Sequence, residues 1–582
     1  MAGQPLVAVV GAGPVGALAA LELARHGLKV VLLEARKQVS WTSRAICISR
    51  RSMEILGRAG VGEAFDAKGL RWSRGRTFHR DQLVFELDMP YRDDDRHAPF
   101  INLQQCYTEQ FLIDAIKGAE HGPELRLGHQ VTKVEQSANA VRIFAEGPDG
   151  PYELDADWLV AADGARSVVR SSLGLAMKGT SYEGRYLISD IQVEGVDWPV
   201  ERHVWFDAPA NPGSTVILHV QPDGMWRIDM QLHEDEDPDE ALSDEKLVAR
   251  LQDQLRTMGV DAPWRLVWKS VYRAHSLSLD NYRHGRIMFA GDAAHLVPIF
   301  GVRGLNSGFD DAHNLAWKLA AVARGDAPDG LLDSYSSERR GATAENIAKA
   351  DKSTWFMSPP SAGFRRMRDA ALQLAHREQW VRDLINPRQA SFHVYDASPV
   401  VVPDDAPEIG VRPGSPLPNL PFRRRFLHEA LSPLGFSALI FAGMLGVDAV
   451  DVAVEACRAV AIEAVVIEDE SLGQHFAAGR FPLYLIRPDE HVAARLAARD
   501  LARLPSALAV ATARDLSPKA RLQESAMATP TEEIYEALSK AIDSAEAEGD
   551  RLALERIALS LAHAIGDPAA ARRIIKKAAV PD

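Results

Sequence analysis

The stretch PLVAVVGAGPVGALAALELARHGLKVVLLEAR, residues 5–36, constrains the fold of this chain more than any other. Leu6 to Val10 form an unbroken apolar run suited to a strand buried on both faces, and Pro14 to Arg25 carry helix-forming Ala and Leu. A second apolar run ends at Glu34. The glycines between strand and helix have separate tasks. Gly11 permits the tight turn, Gly13 lets a pyrophosphate approach the backbone, and Gly16 lets the helix pack close to the strand. The helix that opens at Pro14 turns its free N–H groups toward that anion. Glu34, followed by Ala35 and Arg36, stands where a carboxylate accepts hydrogen bonds from ribose hydroxyls. The unit is expected to bind a dinucleotide, and the acid disfavours a 2′-phosphate, which leaves FAD or NAD.

Two later stretches bear on that choice. In DWLVAADGARSVVRSSLG, Asp163 and Gly164 follow an apolar strand and precede Ser167 and Arg170. In GRIMFAGDAAHLVPIFGVRGLNSGFDDAHNLAWKL, Gly291 and Asp292 follow another. In this order and spacing, as far as about residue 350, the three stretches resemble the signatures of the single-component flavin-dependent aromatic hydroxylases related to para-hydroxybenzoate hydroxylase and phenol hydroxylase. The resemblance implies FAD as the bound cofactor and NADPH or NADH as reductant. It also implies a reaction with O2 that hydroxylates a phenolic or otherwise activated aromatic compound through a flavin C4a-hydroperoxide. Two other readings stay open: epoxidation or Baeyer-Villiger insertion on a larger polycyclic substrate, and a non-catalytic flavoprotein scaffold.

By the same resemblance, Asp292 accepts a hydrogen bond from the FAD ribityl chain. The turn from Pro298 through Gly301, Gly304, Leu305 and Asn306 passes its backbone beside the flavin, and the Asp163–Gly164 turn serves FAD and the nicotinamide. Gln105 touches FAD, and Arg44 lies close to the flavin as an electrostatic partner. The chain departs from the pattern after Gly301, where many relatives carry a second glycine and this one has Val302 and Arg303. Arg303 either approaches the flavin or points into solvent.

Asp292, His295, Asp310, Asp311 and His313 crowd one short span, which raises the question of a metal. No spacing makes three or four ligands converge, and Cys47, Cys106 and Cys457 stand far apart with no C-x-x-C. No metal is expected. Asp310 and Asp311 are assigned instead to the first turn of a helix, where acids favour the macrodipole, and His313 to a packed or solvated position.

In the middle of the chain, GMWRIDMQLHE alternates Trp226, Ile228, Met230 and Leu232 with Arg227, Asp229, Gln231 and His233. A mostly antiparallel sheet is expected over residues 181–280, which in the family roofs the flavin and lines the substrate pocket. His219, Arg227 and Tyr272 are its candidate catalytic side chains, beside Arg44, with His203 and Tyr182 also within reach. The expected architecture is α/β: a Rossmann-like FAD-binding domain over 1–180 and 281–395 with a helical extension from 346, the inserted sheet, and two C-terminal parts. The first, 396–515, alternates strands and helices and resembles a thioredoxin-like domain; its single cysteine, Cys457, excludes dithiol chemistry. The second, 516–582, is an Ala- and Glu-rich helical module expected to dock on the body or on a partner subunit. A net charge of −14 opposes nucleic-acid binding, and the longest apolar stretch, FSALIFAGMLGV, is too short to span a bilayer. A cytoplasmic homodimer or higher homo-oligomer acting on a small aromatic compound is the resulting expectation.

Overall fold

A computed structural model describes residues 4–40, 44–385, 392–406, 408–515, 530–547 and 561. Its first sheet orders six strands as Arg283–His284, Ile287–Phe289, Trp158–Ala161, Leu6–Val10, Lys29–Glu34 and Glu124–Leu127. All pair in parallel except Arg283–His284 at the edge. Val7 to Val10 are buried, because helix Pro14–Arg25 covers the sheet and packs in turn on helices Gln105–Gly118 and Arg303–Ala323. The three strands that precede the three glycine turns are thus neighbours. Their turns emerge side by side at the carboxyl edge of one parallel sheet, where α/β folds bind their ligands.

The second sheet has eight strands in the order His295–Leu296, Trp264–Ser278, Lys178–Val193, Met225–Gln231, Asn211–Gln221, Arg202–Ala208, Arg74–His79 and Gln82–Asp88. It is mostly antiparallel, and wider than the 181–280 span expected from sequence. Arg74–His79 pairs in parallel with Arg202–Ala208, so two strands of the first 180 residues belong to this sheet. Local patterning carries no trace of a pairing between segments so far apart in the chain. Trp226, Ile228 and Met230 pack toward Leu247, Leu251 and Leu255 of helix Asp244–Thr257. Arg227 and Asp229 take the opposite face, which is also buried.

The C-terminal α/β part carries four strands in the order Glu463–Ile467, Ser437–Phe441, Leu483–Ile486 and Val492–Leu496. The first pair is parallel with helix Val447–Ala459 between its strands, and the other pairings are antiparallel. Cys457 is buried and unpaired. Helix Pro530–Ala547 docks on helix Ala362–Ala375, where Asp543 accepts the Gly363 N–H at 2.7 Å and the Ser361 hydroxyl at 2.5 Å. The rest of the expected helical module, apart from residue 561, lies outside the described residues. No described helix is long and apolar enough to cross a membrane.

The hairpin between the last two strands inserts Arg487, Asp489 and Glu490 into the first domain, all buried. His313, assigned from sequence to a packed or solvated position, is an ionic bridge there, at 2.7 Å from Glu22 and 2.9 Å from Glu490. Burial opposes its charge, but the two carboxylates prevail and raise it to about 10. A histidine with a folded value above its unfolded value of about 6.5 contributes stability that is complete below the lower value and lost as pH rises through the higher one. Chemical denaturation of the wild type and of His313→Gln is therefore expected to converge between pH 6.5 and 10, with the wild type ahead at the acid end; a pH-independent gap would remove this assignment.

Candidate active site

The turn after Leu6–Val10 is built by close approach. A side chain at Gly11, where φ is +97°, would stand 2.5 Å from the Ala162 carbonyl oxygen, and one at Gly16 would run into the Gly11 carbonyl. Gly13 is different, since a methyl group there would meet nothing within 4 Å. Gly13 is also the N-cap of helix Pro14–Arg25, with no side chain capping its first N–H groups. Those donors face a cradle floored by bare backbone, which suits a pyrophosphate.

Glu34 reaches back across this cradle. Its Oε2 accepts the Ala12 N–H at 2.8 Å, and its Oε1 accepts the Arg36 N–H and Nε–H at 2.9 Å. Ala35 is exposed beside it. Arg36 also pairs with Glu109 at 3.3 Å, and Glu109 accepts from the Gln105 amide at 2.9 Å. The Gln105 carbonyl oxygen in turn accepts the backbone N–H groups of Arg44 and Ala45 at 3.2 and 3.1 Å. Gln105, expected to touch the cofactor, thus spends its amide on holding the Arg44 loop.

The second turn is tied to the third. Asp163 Oδ2 accepts the Val169 N–H at 3.1 Å, while its buried Oδ1 has no partner and burial raises its pKa. Ser167 caps the short helix Val168–Ser172, and Arg170 donates to the Ala293 carbonyl at 3.1 Å. Asp311 holds the third turn from behind. Its Oδ2 accepts the Gly291 N–H at 2.9 Å and meets His295 Nε2 at 2.7 Å, and its Oδ1 accepts Arg339 Nε–H at 2.6 Å. Burial works against this carboxylate, but His295 and Arg339 bring it down to about 2.

The assignment of Asp310 and Asp311 to a first helical turn is therefore corrected. The helix runs from Arg303 to Ala323, beginning more than a turn earlier, and Asp311 is an internal clamp on the Gly291–Asp292 turn. Arg303 is also resolved: it is 1% exposed and donates to Asn346 at 3.0 Å, so it does not point into solvent. Val302, which caps this helix, takes φ +54°, a left-handed conformation costly for a β-branched residue and rarely kept away from functional loops. Asn306 secures the loop by donating to the Cys47 and Val302 carbonyls and accepting the Ser49 N–H. Pro298 and Gly301 are buried, whereas Gly304 and Leu305 are half-buried, and Gly304 faces open space as Gly13 does.

Asp292 is the exposed member of a turn that is otherwise buried. Its pKa is nonetheless raised by desolvation, against the pull of His295 and Arg44. A carboxylate with accessible surface and protein on every side lines a concavity. Tyr272, on the inner face of the eight-stranded sheet, has its phenol pushed up by burial and by the nearby Asp292 charge. The exposed Arg44 and the half-buried Tyr272 are therefore both near enough to Asp292 to exchange electrostatic influence with it.

The register of the sheet aligns Arg202, His219, Arg227, Asp190 and Trp268 in one transverse row. Arg227 was a candidate for substrate contact, and the structure gives its guanidinium another task. Nε and Nη2 pair with Asp190 at 2.8 Å, and Nη1 donates to the Arg44 carbonyl at 2.7 Å. It positions Arg44 and couples the sheet to the first domain. His219 has Nδ1 3.7 Å from Cys47 Sγ, and burial together with the Arg202 and Arg227 charges pushes it down to about 3, so it is neutral. His203 sits on the far face among Phe78, Trp198 and Trp205, away from this row. Arg202, Asp190 and Asp229 were not singled out from sequence; charged residues inside the apolar runs RHVWFDA, YLISDIQV and WRIDMQ were the available signal.

Among the described residues no group of three or more His, Cys, Asp and Glu is placed to hold a metal ion. His295 and Asp311 are committed to each other and Asp311 also to Arg339, while His313 is held by the Glu22 and Glu490 carboxylates. Dialysis against EDTA is expected to leave turnover unchanged, and loss of activity restored by a divalent ion would contradict this.

Residues 5–350 match the model of a family described as FAD binding domain. The chain is 33% identical over 389 residues to the 12-dehydrotetracycline 5-monooxygenase/anhydrotetracycline 6-monooxygenase of Streptomyces rimosus, covering 64% of this chain and 73% of that one. It is 30% identical over 372 residues to the para-nitrophenol 4-monooxygenase of a Pseudomonas species, covering 63% and 90%. Among solved structures, the OxyS anhydrotetracycline hydroxylase from Streptomyces rimosus superposes with a TM-score of 0.66 at 26% identity over 87% of this chain and 99% of that one. The flavin-dependent monooxygenase PieE, in complex with FAD and substrate, shares the fold with a TM-score of 0.74 at 22% identity, covering 88% of this chain and 100% of that one. The residues fit that cofactor: the bare floor at Gly13, the free helix N-terminus, the orphaned Asp163 oxygen and the enclosed Asp292 carboxylate are what a bound dinucleotide would complete. The chain belongs to the FAD-binding domain family of flavin-dependent aromatic hydroxylases, and it is an FAD-dependent monooxygenase that uses NAD(P)H.

Proposed function

We propose that the protein hydroxylates a phenolic ring held between the inner face of the eight-stranded sheet and the Asp292 concavity. The observation that carries this reading is the buried, partly polar sheet face whose Arg227 holds the Arg44 carbonyl at 2.7 Å, with Tyr272 on the same face near enough to Asp292 to feel its charge. Bound FAD, once reduced by NADH or NADPH, supplies the activation of O2 that no side chain provides. The chain's own residues bind and orient. Asp292 and the Gly13 cradle hold the cofactor, Arg44 places a positive charge beside it, and Arg227 with Gln105 fixes the Arg44 backbone. Tyr272 offers a phenol hydroxyl to the substrate, and the sheet excludes water.

The relatives named for para-nitrophenol and for anhydrotetracycline support a phenolic or otherwise activated ring in either a small or a polycyclic compound. The same reading takes 396–515 as a thioredoxin-like domain without redox chemistry, a view its strand order and directions support. It also takes the protein as a cytoplasmic homo-oligomer, which light scattering would check. The function is tested by screening phenols for acceleration of NAD(P)H oxidation by the FAD-loaded protein, with product mass and peroxide measured together. Hydroxylated product in step with NAD(P)H consumed is expected; peroxide alone from every phenol tried would count against it.

Arg44 gives a separate test. A guanidinium beside the flavin stabilises the negative charge that develops on reduction, so Arg44→Ala is expected to slow anaerobic reduction at least tenfold, about 1.4 kcal/mol. Stopped-flow absorbance on the FAD-saturated variant reads this directly, and an unchanged rate would make Arg44 ordinary surface charge.

A further inference from the structure

Helix Pro530–Ala547 and helix Ala362–Ala375, on which it docks, both lie beyond residue 350, where the match to the FAD-binding family ends. Their backbones approach so closely that only glycine fits at 363. A side chain there would meet the Ser539 carbonyl oxygen at 2.3 Å and Asp543 Oδ1 at 2.7 Å. Asp543 is half-buried and ties down the start of helix Ala362–Ala375, accepting the Gly363 N–H and the hydroxyl of Ser361, its N-cap. Tyr535, about two turns earlier, packs its ring against both Phe356 and Phe364, with centroids at 6.2 and 6.3 Å. Together they hold the corner between helices Leu331–Met357 and Ala362–Ala375, and that corner lies against the inner face of the eight-stranded sheet. The Met357 carbonyl accepts the Thr215 hydroxyl at 2.9 Å, the Ser358 and Tyr186 hydroxyls bond each other, and Phe356 meets Phe206 edge-on at 5.4 Å. Tyr186 in turn shares a register row with Tyr272 and stands edge-on to Phe300 at 5.1 Å. Phe300 belongs to the turn between Pro298 and Gly301 that is assigned to the flavin.

We propose that Asp543 is a positioning residue for the hydroxylation: helix Pro530–Ala547 clamps the 358–363 corner, and the corner, through Tyr186 and Phe300, sets one wall of the substrate pocket. This rests on the hydroxylase reading above and extends it to a helix with no chemistry of its own. Phe206, Phe300, Phe356, Met357 and Tyr186 form one buried cluster, with Tyr535 packed against it. A core packed in this way passes a displacement on instead of absorbing it. The polar contacts fix the direction of that displacement, since the Gly363 N–H lies in the first helical turn and finds its acceptor in Asp543. The reaction is sensitive to such a shift, because misplacing a reacting ring by about 1 Å can cost about a hundredfold in rate.

The test has two arms, both on the FAD-loaded full chain. The first follows hydrogen exchange by mass spectrometry without substrate. Asp543→Ala breaks the contact from one side and Gly363→Ala from the other; alanine favours the helix itself, so any loosening in the second variant comes from the lost contact. In both, the amides of Phe300 to Val302 are expected to exchange at least about fivefold faster, along with those of 361–375, while flavin content and the Gly11–Gly16 turn stay as in the wild type. Asp543→Asn, which can still accept the Gly363 N–H and donate to Ser361, should restore the wild-type pattern. Faster exchange confined to 361–375 and 530–547 would make the helix a structural prop and overturn the proposal. The second arm measures hydroxylated product per NAD(P)H consumed, with 4-nitrophenol and phenol. For a probe that the wild type hydroxylates, Asp543→Ala and Gly363→Ala are expected to lower this ratio at least about threefold, with the difference appearing as peroxide, and Asp543→Asn to recover it. An unchanged ratio would also overturn the proposal. If the wild type hydroxylates neither probe, that counts against the hydroxylase reading, while exchange at Phe300 still decides whether the clamp reaches the pocket wall.

Discussion

Gly13→Val is expected to give a folded but colourless protein. A side chain at Gly13 meets no protein atom within 4 Å, and the residue is a helix N-cap in an extended conformation with φ of −63°, which valine adopts without strain. The apo fold has no reason to change. What the isopropyl group does fill is the floor over which a pyrophosphate reaches the free N–H groups of helix Pro14–Arg25. Displacing the phosphates by a side-chain diameter removes several charge-assisted hydrogen bonds at once, so FAD affinity should fall by at least about a hundredfold, roughly 2.7 kcal/mol. Gly16→Ala is the control with the opposite cause. Its methyl group runs into the Gly11 carbonyl, so cofactor loss there should come with a weaker fold. Far-UV circular dichroism and flavin content, measured on both variants, separate the two. Full FAD retention in Gly13→Val would remove the cradle from this site.

Glu338→Ala is expected to be the most damaging change away from the cofactor. Glu338 is buried in helix Leu331–Met357 and accepts Arg487 Nη1 and Nη2 at 2.7 and 2.9 Å, Lys318 Nζ at 2.6 Å and Asn314 Nδ2 at 2.7 Å. Lys318 and Arg487 are fully buried too, and Asp489 is the other carboxylate paired with Arg487. Burial opposes the Glu338 charge, yet Arg487 and Lys318 hold the carboxyl far below its ordinary range. Removing it strands Lys318 inside protein and leaves Arg487 to Asp489 alone, and breaking a buried pair in this way typically costs about 3–5 kcal/mol. Because Arg487 comes from the C-terminal hairpin, the loss falls on the docking of that domain. Limited proteolysis should cut the Pro- and Gly-rich junction near residues 403–418 faster in Glu338→Ala, and the denaturation midpoint should drop. Equal cleavage rates and midpoints would show that the network does not hold the domain.

The dinucleotide unit was legible in the sequence because every part of it is local. A strand, three glycines at fixed offsets, a helix and an acid fall within residues 6–34, and the pattern is recognisable inside that span even though Gly11 also answers to the Ala162 carbonyl. The two further motifs follow strands whose apolar runs announce themselves, so the family and its cofactor could be read before any tertiary pairing was known. The same holds for the alternation of Trp226 to Leu232, which reports a sheet with one face packed on a helix.

Tertiary structure alone decided what lies between those elements. That Asp311 braces the Asp292 turn, that Arg227 is consumed by Asp190 and the Arg44 carbonyl, and that Arg74–His79 joins a sheet begun at Lys178 are all pairings over long sequence separations. A charged residue in an apolar strand reads the same whether its side chain has an ionic partner, as for Arg227, or none among the described residues, as for Arg202. The physical reason is that propensity and periodicity record how a segment folds on itself. The cost of a buried charge is set by which groups the rest of the chain brings within hydrogen-bond reach.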